Sequence, residues 1–229
     1  MQARGSRLVG AFGWVLSVAG AVVLLYVVYV LFWTGLGTSR EQSSMLEQWE
    51  TTVGEVEEAT VRPGVEGEAG EPAPPERDDV VGTAPEVGDA VAVVAFRRQG
   101  TEATPVTDDH LVVVEGVGYS DLQRGPGHYP GTAMPGEDGN FAVAGHRVTY
   151  GAPFHRLDEL RDGDEIHVWD RQGEHYVYAI RDTAIVAPSA SWVIGRDPLE
   201  TAAPTITLTT CHPRYSNRER MIAFGELVS

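Results

Sequence analysis

The residues with the clearest chemical potential lie in one segment near the end of the sequence. This segment, TITLTTCHPRYSNRER, covers residues 205–220 and contains Cys211, the one cysteine of the chain. No disulfide can form within the chain, so the thiol is free. A thiolate is a strong nucleophile and a good leaving group, which suits the formation and transfer of an acyl-thioester. The alternative is an inert cysteine that packs as a small apolar side chain.

Three arginines follow the cysteine: Arg214, Arg218 and Arg220. A guanidinium stays charged and donates a fork of hydrogen bonds, so it can stabilise the oxyanion of an acyl-transfer intermediate. Nearby positive charge also favours the thiolate form of a cysteine. The segment therefore combines a possible nucleophile with possible oxyanion-stabilising cations.

His146 is the candidate partner of the thiol. It follows Gly145 at the end of the apolar run NFAVAGH, residues 140–146, and a polar loop begins after it. The end of a strand fixes an imidazole on a rigid scaffold and leaves it reachable. Cys211 is distant in the sequence, so only the fold can bring the two residues together. The residues by themselves leave open whether they form a nucleophilic pair.

Short β-strands are the elements that must position these residues. From about residue 87, apolar segments with period-two alternation are separated by turns rich in Gly and Pro. One helical turn is predicted over residues 152–160. Many short strands with so little helix predict an all-β fold, a closed or nearly closed antiparallel barrel. The predicted strands cover residues 90–96, 110–116, 140–146, 164–170, 175–186, 205–210 and 221–228.

The N-terminal part of the sequence predicts a membrane anchor over residues 1–37. Residues 8–33 are uncharged, and this run exceeds the roughly 20 residues that span a bilayer as a helix. Arg4 and Arg7 precede the run, which places the N-terminus in the cytoplasm and the rest outside. A cleaved signal peptide is the alternative, although its apolar region would be shorter.

Residues 38–86 are acidic and rich in Pro and Gly, a composition that predicts a flexible tether. Within it, residues 43–50 are compatible with a short helix. Residues 87–229 then form the predicted extracellular catalytic domain. The protein is expected to be a single-pass protein of the cell membrane.

The charge and the spacing of ligand residues argue against two other classes of function. The formal net charge of -16 disfavours nucleic-acid binding, which needs a basic surface. A zinc site would lack the usual short, paired spacing, and the acids of the 158–164 loop are expected to be solvated. We therefore predict no metal and no cofactor. The residues considered for zinc are His146, His155, Cys211 and His212, and those considered for calcium are Asp158, Glu159, Asp162 and Asp164.

Two segments resemble the sortase family, and within it the class E, housekeeping-type sortases of G+C-rich Gram-positive bacteria. They are HYPGTAMPGEDGNFAVAGHRVTYGAPFHRLDELRDGDEI, residues 128–166, and TLTTCHPRYSNRER, residues 207–220. TLTTC matches the family motif TLxTC, and AGH matches the context of the family histidine. In classes C and E the family arginine lies nine residues after the cysteine, which favours Arg220. Arg218 stays the alternative, because strand alternation could point both side chains to one face.

The resemblance implies an eight-stranded β-barrel with one or two short helices and a transpeptidation in two steps. Cys211 would attack the Thr–Gly bond of an LPxTG- or LAxTG-type sorting signal, and the amine of a lipid-linked peptidoglycan precursor would resolve the thioester. His146 would move the protons, and Arg220 would hold the oxyanion or the peptide. Tyr129 and Thr210 are the candidates for contacting the sorting signal. Tyr129 has an alternative role as a turn residue packed on the barrel.

Two other functions are alternatives to a housekeeping sortase. A class C, pilin-polymerising sortase typically carries a C-terminal hydrophobic segment and an N-terminal lid motif, and neither pattern occurs in the sequence. A non-catalytic, membrane-tethered β-domain for binding would keep Cys211 buried and unreactive.

Overall fold

The computed structural model describes residues 2–29, 34–54, 84–98, 100–101, 104–107 and 109–229. Two long helices come first, α1 (Gln2–Val28) and α2 (Thr34–Thr52), and a short helix α3 (Tyr119–Arg124) lies later in the chain. Single 3₁₀ turns occur at Leu157–Glu159 and Ser191–Ile194. The strands are β1 (Ala90–Arg97), β2 (Leu111–Glu115), β3 (Gly127–His128), β4 (Asn140–Ala144), β5 (Glu165–Asp170), β6 (His175–Val186), β7 (Thr205–His212) and β8 (Glu219–Leu227).

The eight strands close into a barrel in the order β1-β2-β3-β4-β7-β8-β6-β5. This confirms the predicted eight-stranded β-barrel, and each of the seven segments predicted from alternation contains a strand. The eighth strand, β3, has two residues, which is too short for an alternating pattern. Two neighbouring pairs, β2–β3 and β4–β7, are parallel, whereas the sequence predicted an antiparallel barrel. The β4–β7 pair is the one that matters for the site.

Along each strand, successive side chains point alternately into the barrel and to its outer face. In β7, Ile206 and Leu208 belong to the central apolar cluster, so the threonines between them face outward. In β8, Met221 and Ala223 face the same interior. Outside the barrel, the 3₁₀ turn Ser191–Ile194 covers part of β8, where Val193 packs on the outward-facing Ile222 and Phe224. The outer face of β8 is therefore covered over part of its length.

Helix α2 packs against the barrel, although residues 38–52 were predicted as part of a flexible tether. Met45 and Trp49 are buried in a second apolar cluster with residues of β1, β2 and β5. The helix places its apolar residues on one side at helical spacing, and tertiary packing outweighs the poor helix propensity of its Gly, Ser and Thr. The short helix predicted at 43–50 lies inside α2. The rest of the predicted tether, residues 55–83, lies outside the described residues.

Helix α1 carries the predicted membrane anchor. Large apolar side chains from Phe12 to Val28 are exposed along it. Over the part of the chain that the structure describes, no helix has the length and apolarity needed to cross a membrane. The predicted bilayer span stays a prediction, and residues 30–33 at its end lie outside the described residues.

Replacing Trp49 by Ala tests whether α2 is an integral part of the fold. Trp49 is 5% exposed, so the substitution should lower the free energy of unfolding by about 3 kcal/mol. Urea denaturation of the full-length chain, followed by circular dichroism, measures the change. Leu36→Ala is the matched control on the same helix, because Leu36 is 55% exposed and should change stability by less than about 0.5 kcal/mol. Equal effects of the two substitutions would contradict the packing of α2.

Candidate active site

The parallel pairing of β4 with β7 brings His146 beside Cys211. Ala144 is the register partner of Thr209, and the Gly145 amide donates to the Thr209 carbonyl at 3.0 Å. Continued for two residues beyond this last pair, the same register brings His146 level with Cys211. Two segments that lie far apart in the sequence therefore present an imidazole and a thiol at the same level of one sheet.

The antiparallel pairing of β7 with β8 adds the arginine. Cys211 and Arg220 are direct register partners, so their side chains point to the same face. That face is the outer one, because Leu208 on β7 and Met221 on β8 face the interior. Cys211 and Arg220 thus lie side by side on the outer face, and His146 follows the end of the neighbouring strand β4.

Gly145 allows the end of β4 to pack directly against the Phe154 ring. A Cβ at Gly145 would lie 2.5 Å from Cδ2 of Phe154, too close for two carbon atoms. Phe154 is fully buried and packs edge-on against Phe96, with ring centroids 6.4 Å apart. Only glycine lets the end of β4 lie directly on this ring. The residue before His146 is therefore constrained by packing.

The surroundings of His146 favour its neutral form. Its Nε2 atom is buried and has no hydrogen-bond partner among the described residues. The ring packs against that of Tyr150, with centroids 5.0 Å apart. Burial lowers the pKa of His146 below its ordinary value, because desolvation disfavours the charged imidazolium. At neutral pH the imidazole can therefore accept a proton.

The structure separates the three arginines that follow Cys211. Arg220 lies in β8 opposite the thiol, and its Nη1 donates to the carbonyls of Asn217 and Glu219, each at 3.0 Å. Arg218 precedes the strand, and its Nε donates to Ser216 Oγ at 3.3 Å. Of the two arginines that sequence alternation could not separate, only Arg220 pairs directly with the cysteine. The guanidinium of Arg220 retains further N–H groups for a ligand.

Arg147 is a component of the site that sequence reasoning missed. Its side chain is 2% exposed, and Nη1 donates to the Cys211 carbonyl at 3.3 Å and to His212 Nδ1 at 3.0 Å. Nη2 pairs with Asp158 at 2.9 Å, and Asp158 also binds Arg214 at 3.3 Å. A charged residue directly after the apolar run 140–146 is the signal that could have indicated it, since a buried guanidinium needs partners.

The carboxylate of Asp158 stays ionised in this network. Burial acts to raise its pKa, but the positive charges of Arg147 and Arg214 outweigh burial and hold the pKa below its ordinary value. The network therefore fixes the backbone of Cys211 from behind, on the side opposite the outer face. Asp164, another predicted loop acid, is likewise paired, with Arg98 at 3.0 Å. Within the described ranges, no cluster of three or more His, Cys, Asp or Glu side chains could hold a metal ion.

Tyr129 lies on the outer face next to the site, and Thr210 does not. The Tyr129 hydroxyl is 3.1 Å from Thr209 Oγ1, two residues before the thiol. Thr210 alternates with Cys211, and its buried hydroxyl donates to the Gly145 carbonyl at 2.8 Å. Thr210 therefore ties β7 to the end of β4, and the structure places it away from the face on which a peptide would contact Cys211.

A buried contact between His128 and Glu115 supports the loop that carries Tyr129. His128 Nδ1 lies 2.6 Å from a carboxylate oxygen of Glu115, and both side chains are buried. On its other side, His128 Nε2 lies 2.8 Å from Thr132 Oγ1, and this hydroxyl also lies 2.8 Å from the Tyr129 carbonyl. The predicted histidine candidates did not include His128, because its role depends on a carboxylate from another strand.

A free thiol, an imidazole that burial keeps neutral and a guanidinium are the groups that a cysteine-dependent acyl-transfer enzyme needs. The sortase domain family matches residues 103–228 of the sequence. The chain therefore belongs to the sortase family and is a cysteine transpeptidase. The resemblance stated from the two sequence motifs is confirmed.

Individual relatives agree with this assignment. Sortase SrtE2 of Streptomyces coelicolor is 31% identical over 97% of this chain and 83% of its own length. The sortase D5 transpeptidase of Clostridium perfringens has a TM-score of 0.61 and 25% identity, over 83% of this chain and 99% of that chain. Sortase E1 of Streptomyces coelicolor, solved with a tripeptide in the active site, has a TM-score of 0.54 and 32% identity. The match covers 64% of this chain and 92% of that chain.

Substitution of Gly145 by Ala tests the packing that places His146. The added Cβ must displace the Phe154 ring or the end of β4, which should cost about 1–3 kcal/mol of stability. The displacement of His146 should lower the rate of peptide cleavage at least about tenfold. Thermal unfolding and a cleavage assay measure the two effects.

The double variant Gly145→Ala/Phe154→Leu is the matched control for this test. Leucine leaves room for the added methyl group, so the double variant should recover part of the activity lost in Gly145→Ala. Wild-type activity in the single variant, or no recovery in the double variant, would show that the Phe154 contact does not place His146.

Proposed function

We propose that this sortase cleaves LPxTG- or LAxTG-type sorting signals between Thr and Gly and transfers the protein to an amine of a lipid-linked peptidoglycan precursor. The observation that carries the proposal is the register of β4, β7 and β8, which aligns His146, Cys211 and Arg220. The tripeptide in the active site of sortase E1 supports a peptide as the ligand of the corresponding face.

In the first step, the Cys211 sulfur attacks the carbonyl carbon of the threonine and forms a tetrahedral oxyanion. Arg220 donates hydrogen bonds to this oxyanion, or to the peptide beside it. The intermediate collapses to a thioester, and the Thr–Gly bond breaks. The proton that leaves the thiol passes through His146 to the departing glycine amine, so charge and protons balance.

In the second step, the amine of the acceptor attacks the thioester carbon. His146 accepts a proton from the attacking amine, which suits an imidazole whose pKa is lowered by burial. The C–S bond breaks, and Cys211 recovers the proton. A neutral Cys–His pair and a thiolate–imidazolium pair are states of one coupled titration, so both descriptions lead to the same balance.

The outer face of β4 and β7 provides a surface for the sorting peptide. Tyr129 and Thr209 lie on it beside Cys211, and the 3₁₀ turn Ser191–Ile194 bounds its far end. A peptide running along this face would meet Tyr129 before its scissile bond reaches the thiol. We assign Tyr129 to recognition of the residues before the threonine.

We also propose that the N-terminal helix anchors the protein in the cell membrane, with the barrel outside. The uncharged run of residues 8–33, preceded by Arg4 and Arg7, supports this orientation. The exposure of apolar side chains along α1 agrees with a lipid environment for them. Helix α2, packed on the barrel, would then hold the site close to the membrane surface.

The first test is a transpeptidation assay with an LAxTG peptide, an LPxTG peptide and a triglycine amine, followed by mass spectrometry. We expect a thioester on Cys211, cleavage after Thr and a ligated product, with the two peptides ranked by rate. Cys211→Ala should remove all three products, and His146→Ala should slow cleavage about 10²- to 10⁴-fold.

A negative result has a defined meaning. If neither peptide forms an adduct and Cys211 reacts slowly with a thiol probe, the sorting reaction is excluded for these signals. A non-catalytic binding role for the barrel would then explain the protein better.

Arg220 and Arg218 can be distinguished by substitution. Arg220→Ala should lower the rate of acylation about 10²- to 10³-fold, because it removes donors to the oxyanion. Arg218→Ala is the matched control: it is exposed, lies outside β8 and should change the rate by no more than about twofold. Stopped reactions analysed for the thioester measure both rates. Equal losses in the two variants would refute the role assigned to Arg220.

A further inference from the structure

We propose that helix α2 positions His146: it holds Gln123, and Gln123 holds the Tyr150 ring against the imidazole. The proposal rests on the function proposed above for His146 and adds three positioning residues, Thr38, Gln123 and Tyr150. These residues act through His146 and are not assigned contacts with the substrate.

The first contact fixes where α2 lies on the barrel. Oε1 of Gln42 accepts from the Val112 amide at 2.9 Å, and its Nε2 donates to the Val112 carbonyl at 3.0 Å. The same Nε2 also donates to the Arg124 carbonyl at 2.9 Å, and Glu41 pairs with the Arg124 side chain at 2.6 Å. A side-chain amide that satisfies three backbone groups determines both the position and the rotation of the helix.

The second contact extends from α2 to the loop that follows His146. Thr38 is buried, and its Oγ1 donates to the Gln123 carbonyl at 2.7 Å. Nε2 of Gln123 donates to the Tyr150 hydroxyl at 3.1 Å, and the Tyr119 hydroxyl lies 2.8 Å from the same oxygen. The Tyr150 ring in turn packs on the ring of His146. A continuous series of contacts therefore joins α2 to the imidazole.

The backbone of this loop depends on external support. Tyr150, Gly151 and Ala152 have φ angles of 52°, 72° and 46°, so three successive residues adopt the left-handed region. For Tyr150 and Ala152 this region is unfavourable and persists only where the surroundings enforce it. Thr38 lies close to this part of the loop, because a Cβ built at Gly151 would lie 3.4 Å from its methyl group.

Space for the loop to move lies directly beside it. A cavity of about 510 Å³ separates part of α2 from the loop, and its walls include Gln42, Tyr150, Ala152 and Pro153. His146 Nε2 has no hydrogen-bond partner within the described residues, and the imidazole packs against the Tyr150 ring. If α2 or Gln123 released Tyr150, the ring could turn into the cavity, and His146 would lose its support.

Loss of the Tyr150 ring has a chemical consequence that can be measured. The ring helps to exclude water from His146, whose pKa is lowered by burial. Exposure to water would raise this pKa toward the ordinary imidazole value of about 6.5. The acid limb of the pH–rate profile would move to higher pH in the same direction, because that limb reports the group with the lower pKa.

The test uses the full-length chain and the variants Thr38→Val, Tyr150→Phe and Tyr150→Leu. Thr38→Val and Tyr150→Phe remove hydroxyl groups and keep the side-chain shapes, so their folds should be intact by circular dichroism. Ser43→Ala is the matched control, because Ser43 lies on α2 and, among the described residues, its hydroxyl bonds within the helix, to the Ser39 carbonyl at 2.9 Å. The readouts are the titration midpoint of His146 by NMR, and kcat and KM for cleavage of the sorting peptide.

We expect Thr38→Val and Tyr150→Phe to lower kcat about two- to tenfold, as loss of one hydrogen bond implies, and to leave KM nearly unchanged. Tyr150→Leu should lower kcat further and raise the His146 midpoint toward about 6.5. The control should change neither quantity. An unchanged midpoint and an unchanged kcat in the Thr38 and Tyr150 variants would overturn the proposal.

The two readouts separate this proposal from the proposed function. If the unmodified protein cleaves no sorting peptide, the function fails, and the NMR midpoint still decides whether α2 and Tyr150 position His146. If peptide cleavage is normal and the midpoint and kcat do not respond to these substitutions, the positioning role fails and the function stands.

Discussion

The parallel hydrogen bonding between β4 and β7 is the interaction on which the site depends. It fixes the register of two strands that lie far apart in the sequence. The last pair of this register is Ala144 and Thr209, and His146 and Cys211 each lie two residues beyond it. A slip of one residue would turn either side chain toward the barrel interior. The hydroxyl of Thr210 bonds across this seam to Gly145, and the Phe154 ring leaves room only for glycine there. Both contacts oppose such a slip.

The charges around the thiol are divided between the two sides of β7. Arg220 lies on the outer face, where an oxyanion would form, and remains partly accessible. Arg147 lies behind the cysteine, where it is buried and neutralised by Asp158. The positive charge behind the thiol serves to hold the backbone, while the one in front is available to a ligand. Between them, burial keeps the imidazole neutral.

Composition suggests that the folded domain begins near residue 87, but helix α2 belongs to the folded domain as well. Residues 38–52 belong to a polar, turn-rich stretch, yet Met45 and Trp49 pack on the barrel, and Gln42 satisfies backbone groups of β2 and of the end of α3. The folded unit therefore includes residues on both sides of the segment 55–83, which lies outside the described residues. Contacts of α2 with Gln123 and Gly151 bring this helix close to the site.

Local patterns in the sequence predicted seven of the strands, the barrel and the chemical residues, because alternation, turn residues and the choice of Cys, His and Arg are visible within short segments. The motifs around His146 and Cys211 also predicted the family. The tertiary structure alone decided the parallel pairing, the two-residue strand β3, the packing of α2, and the partners of Arg147 and Tyr150. Each of these features depends on contacts between distant segments and on desolvation. Local periodicity in the sequence carries information about neither long-range contacts nor desolvation.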